Sequence, residues 1–406
     1  MLVVTANWQI GDGSILPPPA APFVARFIAD LRRSAVCEGW RRDGRYEPVR
    51  SVDVVFAGDT LDLSLSREWL GLHRPWQRGD AARAVAERVL AGCLAGARRL
   101  FGELGSLVRH GIAVPAADAR GRPAPARETH VPVRVTLLEG KLDARLGRDG
   151  ADAIEASCGI VVGTRWEGEA VRVEHGHASD PAWWSEGPAW GAVPTLGQSL
   201  RVDLLARFAA AILPDPARPI RDRLVGRLAA GEIGAWPALV AESLAAPAHA
   251  PTAPAVEGLA APWRDAVEGW RRATRRSGIL LDAPFDAVDG LAAMLEGEGD
   301  ADDLASLLGP TTPRESAADV ATLVLGHPAA ARSRPWGRPR VLCLGGETVR
   351  EAAAPGVLEV APVVDRATPG MVVVRGWRAE EDAPPAVRPD GRPRMIGPRH
   401  RVVDAA

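Results

Sequence analysis

Three segments of the chain pass from an apolar, strand-like run directly into side chains that can bind a metal or a polar ligand. One segment ends in Gly-Asp-x-x-Asp, which supplies Asp59 and Asp62. Another ends in His175 and His177, and the third ends in a Gly-His pair that contains His327. Ligands of open α/β sheets bind beyond the carboxyl ends of the strands. An aspartate and histidines at such ends therefore predict one shared site.

The elements that position these side chains alternate between short β-rich runs and helical runs, which favours a layered α/β architecture. Strands are predicted at residues 2–5, 51–57, 131–138, 159–164, 170–174, 320–325, 340–344, 357–363 and 371–375.

Helical spacing of apolar residues predicts helices at 21–33 and 80–108. The Pro-, Ala- and Arg-rich segment 115–127 is predicted to be a surface loop. Residues 200–308 have helical periodicity, broken by a Pro/Ala-rich linker at 245–255, and we interpret them as a helical insertion. Residues 381–406 form an irregular C-terminal tail in this interpretation, after a single domain at 1–380.

The order of the strand ends resembles the motif series of the calcineurin-like metallophosphoesterases. That series reads Asp-x-His, Gly-Asp-x-x-Asp, Gly-Asn-His-Asp, His-Gly-His and Gly-His-x-His. Residues 3–12 align with its first motif and residues 138–146 with its third, and residues 341–348 resemble the closing strand and turn of the family. The resemblance covers nearly the whole chain and is nearest to the bacterial branch that includes UDP-2,3-diacylglucosamine hydrolase. It implies a sandwich of two mixed β-sheets flanked by helices.

The chemistry implied by this resemblance uses two divalent cations about 3.5–4 Å apart, which clamp a phosphate and activate a bridging water. Three of the implied ligands are kept, as Asp59, His175 and His327.

The other implied positions are substituted. The aspartate and histidine of the first motif are Asn7 and Gln9. The asparagine ligand is Lys141, and the adjacent histidine that helps protonate the leaving group is Leu142. The last histidine ligand is Ala329.

These substitutions affect the two implied metal positions differently. The first would rely on Asn7, Gln9, Asp59 and Ala329, and neutral amides do not replace a lost carboxylate and lost imidazoles, so we expect it to be empty. The second keeps three ligands suited to zinc, iron or manganese. Its fourth position is Lys141, whose protonated amine has no lone pair for a metal and repels a cation.

We expect the Lys141 ammonium to sit where a metal would sit and to pair with Asp59. At about 4 Å, such charges attract by roughly 4 kcal/mol at an effective dielectric of 20, before desolvation. Lys141 is the single lysine among 49 basic residues. This uniqueness and its ligand position support a role at the site, and a solvent-facing lysine on a loop is the equally weighted alternative. A further alternative is a reactive amine whose pKa is lowered by burial.

Other polar residues of the motifs have ordinary structural interpretations. His177 is expected to be a hydrogen-bonding partner, Asp62 to cap a turn and Asp143 to hold the loop after its strand. Trp8 is a candidate to fill the vacated part of the site. Arginines that could hold a phosphate without metal are Arg145, Arg165, Arg332 and Arg334. Histidines that match no motif, taken as surface residues, are His73, His110, His130, His249 and His400.

A Trp-rich turn with Trp183, Trp184 and Trp190 follows the His-Gly-His motif. Clustered indoles are commonly local packing, and an exposed cluster beside a cleft would suit a ring or a protein partner.

Composition excludes several classes of protein. The chain has 406 residues and a formal net charge of −2, so no global field draws it to nucleic acid or anionic lipid. Four scattered cysteines, with no Cys-x-x-Cys, fit a reducing compartment. With no apolar run long enough to span a bilayer and no signal peptide visible, we expect a cytoplasmic bacterial protein.

These observations lead to a pseudoenzyme hypothesis. The chain is expected to bind a protein partner or a phosphorylated small molecule, without a cofactor. The alternative is a hydrolase of phosphomonoesters, phosphodiesters or pyrophosphates that uses one Mn, Fe or Zn ion on Asp59, His175 and His327.

Overall fold

The computed structural model describes residues 1–41, 43–143, 147–168, 171–177, 183, 193–212, 225, 228, 259–278 and 286–296, and the backbone of four strands between 322 and 374. Within these ranges the strands are β1 (Leu2–Thr5), β2 (Val52–Phe56), β3 (Ile112–Ala117), β4 (Pro123–Val131), β5 (Val133–Leu138), β6 (Val161–Gly163), β7 (Arg165–Glu167), β8 (Val171–Glu174), β9 (Thr322–Leu325), β10 (Arg340–Cys343), β11 (Val360–Val363) and β12 (Met371–Val374).

The helices in the same ranges are α1 (Ala21–Glu38), α2 (Asp80–His110), α3 (Gly147–Cys158), α4 (Leu196–Ser199), α5 (Ala206–Ile212), α6 (Ala260–Ser277) and α7 (Asp286–Leu295). A π-helical segment, Leu200–Leu205, joins α4 to α5, and a 3-10 turn lies at Arg67–Leu70.

Two mixed sheets organise these elements. The larger has the strand order β11-β12-β1-β2-β5-β6, with β1, β2, β5 and β6 parallel and β12 antiparallel to β1. The smaller has the order β10-β9-β8-β7, with β8, β9 and β10 parallel. Parallel neighbours end at the same edge of a sheet, so the loops after β1, β2 and β5 emerge side by side.

The alternation of side chains along β2 divides the interior into two layers. Val54 and Phe56 belong to the core formed with α1, α2 and α3. Val55 and Ala57 belong to a separate core in which they are grouped with Val173 of the smaller sheet. At β1 and β2 the larger sheet is therefore buried on both faces, and both strands are mostly apolar, with Asp53 in β2 paired with Arg134 of β5.

The helical block formed by residues 196–212, 259–278 and 286–296 has its own apolar core. A buried ion pair and a partly buried one join its π-helical segment to the loop after β2. Arg201 pairs with Asp62 and its Nε donates to Ser64 Oγ over 3.0 Å. Asp203 accepts from Arg74 Nε at 2.7 Å. The block is thus fixed to the carboxyl edge of the larger sheet.

The mixed α/β class, all nine predicted strands and the two predicted helices are confirmed, with ends shifted by up to a few residues. The helix α3 and the strand β7 were not predicted, because both are short and contain few apolar residues. Helices also occupy the described part of 200–308. The linker at 245–255 and the tail at 381–406 lie outside the described residues, and the division into domains stays a prediction.

The prediction of a loop at 115–127 is wrong, because this segment belongs to the two-stranded ribbon β3–β4. Asp118 forms the turn: its side chain accepts from the backbone N–H groups of Arg120 and Arg122, and Gly121 takes φ 68°. The prolines that suggested a loop are tolerated because a two-stranded ribbon does not need every N–H for pairing.

No helix in the described part of the chain is both long and apolar enough to cross a membrane.

Replacing Arg201 with Met tests the link between the block and the sheet. We expect a loss of about 3–5 kcal/mol in the free energy of unfolding, because Asp62 would stay buried without its cation. Urea unfolding followed by circular dichroism measures this loss. The control is Arg275→Met, which breaks a half-exposed pair with Asp289 and should cost less than about 1 kcal/mol. Equal losses in the two variants would contradict the assignment.

Candidate functional site

Backbone hydrogen bonds join the loop that follows β1 to the loop that follows β2. The N–H of Asn7 donates to Gly58 O over 3.2 Å, and the N–H of Gln9 donates to Asp59 O over 2.9 Å. The two loops therefore continue the parallel pairing of their strands beyond the sheet. This pairing brings the first and second motifs predicted from the sequence into one place.

Three residues of these loops have a left-handed backbone. Asn7 has φ 60°, Gln9 has φ 47° and Asp59 has φ 54°, and within the described ranges they are the only residues other than glycine with positive φ. Such residues cost about 1–3 kcal/mol each and persist where their surroundings over-determine them. All three stand at the ligand positions implied by the sequence resemblance. The backbone strain of the chain is thus concentrated at the candidate site.

The side chain of Trp8 lies in the core, which contradicts the interpretation that it fills the vacated part of the site. Its indole packs against Phe23, Phe27 and Phe56 at centroid distances of 4.9–5.6 Å, and its Nε1 donates to Thr5 Oγ1 over 3.0 Å. Since its neighbours Asn7 and Gln9 hold left-handed backbone, the residue between them is directed into the helix-side core.

Asp59 is the centre of the site, with a side chain that is 0 % exposed. Its Oδ1 accepts from the N–H of Leu142 over 2.9 Å. Its Oδ2 lies 3.2 Å from Nε2 of His175 and 3.7 Å from Nζ of Lys141. Burial by itself raises the pKa of Asp59, but attraction to His175 and Lys141 and the Leu142 hydrogen bond hold that pKa well below its usual value. The lowered pKa favours the ionised form of this buried carboxyl.

His175 and His177 are joined through their Nδ1 atoms at 2.9 Å, so His177 is a hydrogen-bonding partner of His175. This contact leaves Nε2 of His175 directed at Asp59. Gly58, at φ 90°, lies directly against the imidazole, because a Cβ there would stand 2.5 Å from His175 Cδ2. The glycine of the Gly-Asp motif is therefore required for the approach of His175.

Lys141 is not the solvent-facing lysine of the alternative interpretation, since its side chain is 10 % exposed. Its ammonium lies 4.7 Å from the centroid of the Trp183 ring, within range of a cation–π contact. Trp183 is itself buried, so this indole is packing rather than an exposed platform. The Lys141 ammonium therefore has both a carboxylate and an aromatic ring close to it.

Leu142 supplies a backbone donor to the site and no side chain. The N–H bonds Asp59, whereas the isobutyl group is fully buried in the core of the helical block. A leucine has no proton to transfer. The position that the resemblance assigns to the leaving-group acid is therefore chemically inert.

Asp143 holds the turn that carries Lys141. It accepts from the N–H groups of Gly140 and Leu61, and from that of Thr60 over 2.9 Å. Burial raises the pKa of Asp143 to about 8, and the nearby Asp59 charge adds to this rise.

Asp62 has the expected capping role, because its Oδ1 accepts from the N–H of Ser64 over 3.0 Å.

Several predicted site residues lie outside the described residues, so the structure does not place them. They are Arg145, Trp184, Trp190, His249, His327, Ala329, Arg332, Arg334 and His400. Arg165 is described and forms an ion pair with Glu167 at 3.3 Å.

The described residues do not fit the pair of metal ions that the resemblance implies. An ammonium 3.7 Å from the carboxylate competes for the space and charge of a cation. No group of three or more His, Cys, Asp or Glu side chains within the described ranges is arranged to hold a metal ion.

The sequence did not reveal that Gly140 leaves the space that the Asp59 carboxylate occupies. A Cβ on Gly140 would lie 2.4 Å from Asp59 Oδ1 and 2.5 Å from Asp59 N. The only signal was the placement of this glycine directly before Lys141. Sequence reasoning also missed Arg201, because its partner Asp62 lies 139 residues away.

Comparison of the chain with protein-family models, with curated proteins and with solved structures finds no match.

Replacing Gly140 with Ala tests the packing around Asp59. We expect destabilisation of about 1–3 kcal/mol, since the new methyl group would meet the carboxylate and the backbone of Asp59. Differential scanning calorimetry measures the loss. Gly102→Ala is the control: this exposed helical glycine has open space around it, and alanine there should be neutral or stabilising by up to about 1 kcal/mol. A Gly140→Ala protein as stable as the control would contradict the packing.

The raised pKa of Asp143 predicts a pH dependence. From about pH 4 to 8 the folded chain keeps this carboxyl protonated while the unfolded chain ionises it, so stability falls as pH rises through that window. Asp59→Asn removes a charge that raises the pKa of Asp143, so the pKa of Asp143 in the folded variant should be lower and the decline in stability should end at a lower pH. Urea unfolding at a series of pH values measures where the decline ends in each protein. The same upper limit in the wild type and the variant would count against the coupling.

Proposed function

We propose that this chain is a calcineurin-like phosphoesterase-fold protein that has lost two-metal hydrolysis. In this proposal it is a pseudoenzyme of the bacterial cytoplasm that binds a protein partner or a phosphorylated ligand. The observation that carries the proposal is the Lys141 ammonium, 3.7 Å from the buried Asp59 carboxylate. A fixed positive charge beside this carboxylate opposes a divalent cation in the same space.

The arrangement of the loops supports the fold assignment. The polar residues after β1, β2, β5 and β8 belong to the first four motifs of the resemblance, in the same order along the chain. β1, β2 and β5 are parallel neighbours in the larger sheet. The loop after β8 contacts the loop after β2, because Nε2 of His175 lies 3.2 Å from Oδ2 of Asp59. Packing of the two mixed sheets through a shared core also agrees with a sandwich.

The chemistry of the substituted positions supports the loss of hydrolysis. Two-metal hydrolysis needs ligands that neutralise two cations and an acid for the leaving group. Asn7 and Gln9 bring no charge, and Leu142 brings no proton. What is left at the site is a matched pair of opposite charges, which can hold a structure together without performing that reaction.

One observation favours a second candidate, a hydrolase with a single metal. His175 is bonded at Nδ1 and presents Nε2 towards Asp59, which is how metal-bound imidazoles are oriented. Asp59, His175 and His327 would hold one Mn, Fe or Zn ion in this alternative, with Lys141 displaced.

Metal content and turnover separate the two candidates. We expect freshly purified protein to contain far less than one equivalent of transition metal, and to release no product from bis(p-nitrophenyl) phosphate with added manganese. Elemental analysis and absorbance measure these two quantities.

About one equivalent of metal, with turnover that disappears in Asp59→Ala, His175→Ala and His327→Ala, would overturn the pseudoenzyme proposal in favour of the single-metal hydrolase. His130→Ala is the matched control, because this imidazole is exposed and bonds the backbone of His110, at the end of α2, through Nδ1 at 2.9 Å. Turnover that survives all four substitutions would come from a contaminant and would leave the pseudoenzyme proposal standing.

A further inference from the structure

The candidate site poses an electrostatic problem that the fold has to solve. The Asp59 carboxyl has no exposed surface, and Asp143 is a second fully buried carboxyl, bonded to the N–H groups of Thr60 and Gly140. A buried charge without a partner costs several kcal/mol. Oδ2 of Asp59 faces Nζ of Lys141 at 3.7 Å and Nε2 of His175 at 3.2 Å, and of these two only the lysine carries a fixed positive charge.

The compensating cation comes from the same short turn that encloses the carboxylate. Gly140 leaves room for Asp59, Leu142 donates its N–H to Oδ1, and Lys141 between them places its ammonium 3.7 Å from Oδ2. Asp143 fixes this turn through the N–H groups of Gly140 and Thr60. The position of the cation is therefore set by backbone contacts on both sides of it.

The Lys141 ammonium also lies over the ring of Trp183, 4.7 Å from its centroid. The same indole lies against the start of the helical block, since a Cβ on Gly197 would stand 2.4 Å from the ring. The Lys141 side chain, in contact with both a carboxylate and an aromatic ring, is only 10 % exposed, and this shielding from water strengthens its attraction to the carboxylate.

We infer that Lys141 is a tethered cation that stabilises the folded state in the role a metal ion would have, by compensating the buried Asp59 carboxylate. The inference deepens the metal-free half of the proposed function and rests on that half alone. It makes the fold independent of metal supply, and it assigns the only lysine of the chain a structural role. It does not depend on which partner or ligand the protein binds.

A double-mutant cycle on the full chain tests this role. Lys141→Met keeps the length of the side chain and removes its charge, so Asp59 loses its lysine counter-charge and keeps only the contacts to His175 and to the Leu142 N–H. We expect the Tm to fall by roughly 5 °C or more. Asp59→Asn in the same chain removes the stranded charge and keeps an oxygen for the Leu142 N–H. The double variant should therefore recover most of the lost Tm.

The matched control is Arg88→Met, which breaks an ion pair with Glu68 whose side chains are 57 % and 43 % exposed. This control should leave the Tm almost unchanged. If Lys141→Met does not fold, a folded double variant still supports the tethered cation. A double variant that is as damaged as the single one would overturn it, because the damage would then come from lost packing rather than lost charge.

Metal response gives a second readout that does not involve activity. The Tm of the wild-type protein should be the same with EDTA, with added manganese and with added zinc. A rise in wild-type Tm on adding either metal would overturn the inference.

The failures of the two proposals are distinguishable. Turnover without metal stabilisation would contradict the loss of catalysis and leave the tethered cation intact. An unchanged Tm in Lys141→Met would contradict the tethered cation alone.

Discussion

The buried charge of Asp59 is the constraint that the surrounding structure satisfies. A carboxylate without contact to water needs a donor, a counter-charge and room, and neighbouring segments of the chain supply all three. Leu142 gives the donor, Lys141 gives the counter-charge, and Gly140 leaves the room. Asp59 follows β2, whereas Gly140, Lys141 and Leu142 follow β5. The position of each of these two loops therefore depends on the other.

The helical block belongs to the same arrangement. Its π-helical segment sends Arg201 to Asp62, three residues after Asp59, and its first helix lies against the ring of Trp183. A π-helical turn is rare and is frequently found where function or packing needs a shifted register. Here it carries two buried charged residues, Arg201 and Asp203, that bond the loop after β2.

Sequence reasoning located the site but not its interior. The strand ends and their order were enough to bring Asp59 and His175 together, since parallel strands end at one edge of a sheet. The resemblance led to the pairing of Lys141 with Asp59. The direction of Trp8 depends on left-handed backbone at its neighbours, which no spacing rule reveals. The ribbon at 115–127 was missed because its prolines outweighed the turn signal of Asp118 and Gly121. The Arg201 contact is set by tertiary packing.

The single lysine also determines how this protein can be handled and modified. Every other basic side chain is arginine or histidine, and the one ε-amine is shielded by Asp59 and Trp183. The folded protein therefore offers almost no ε-amine to acetylating or ubiquitin-conjugating enzymes, or to amine-directed cross-linkers. Mass-spectrometric mapping of its contacts would need reagents that react with carboxylates or with guanidinium groups.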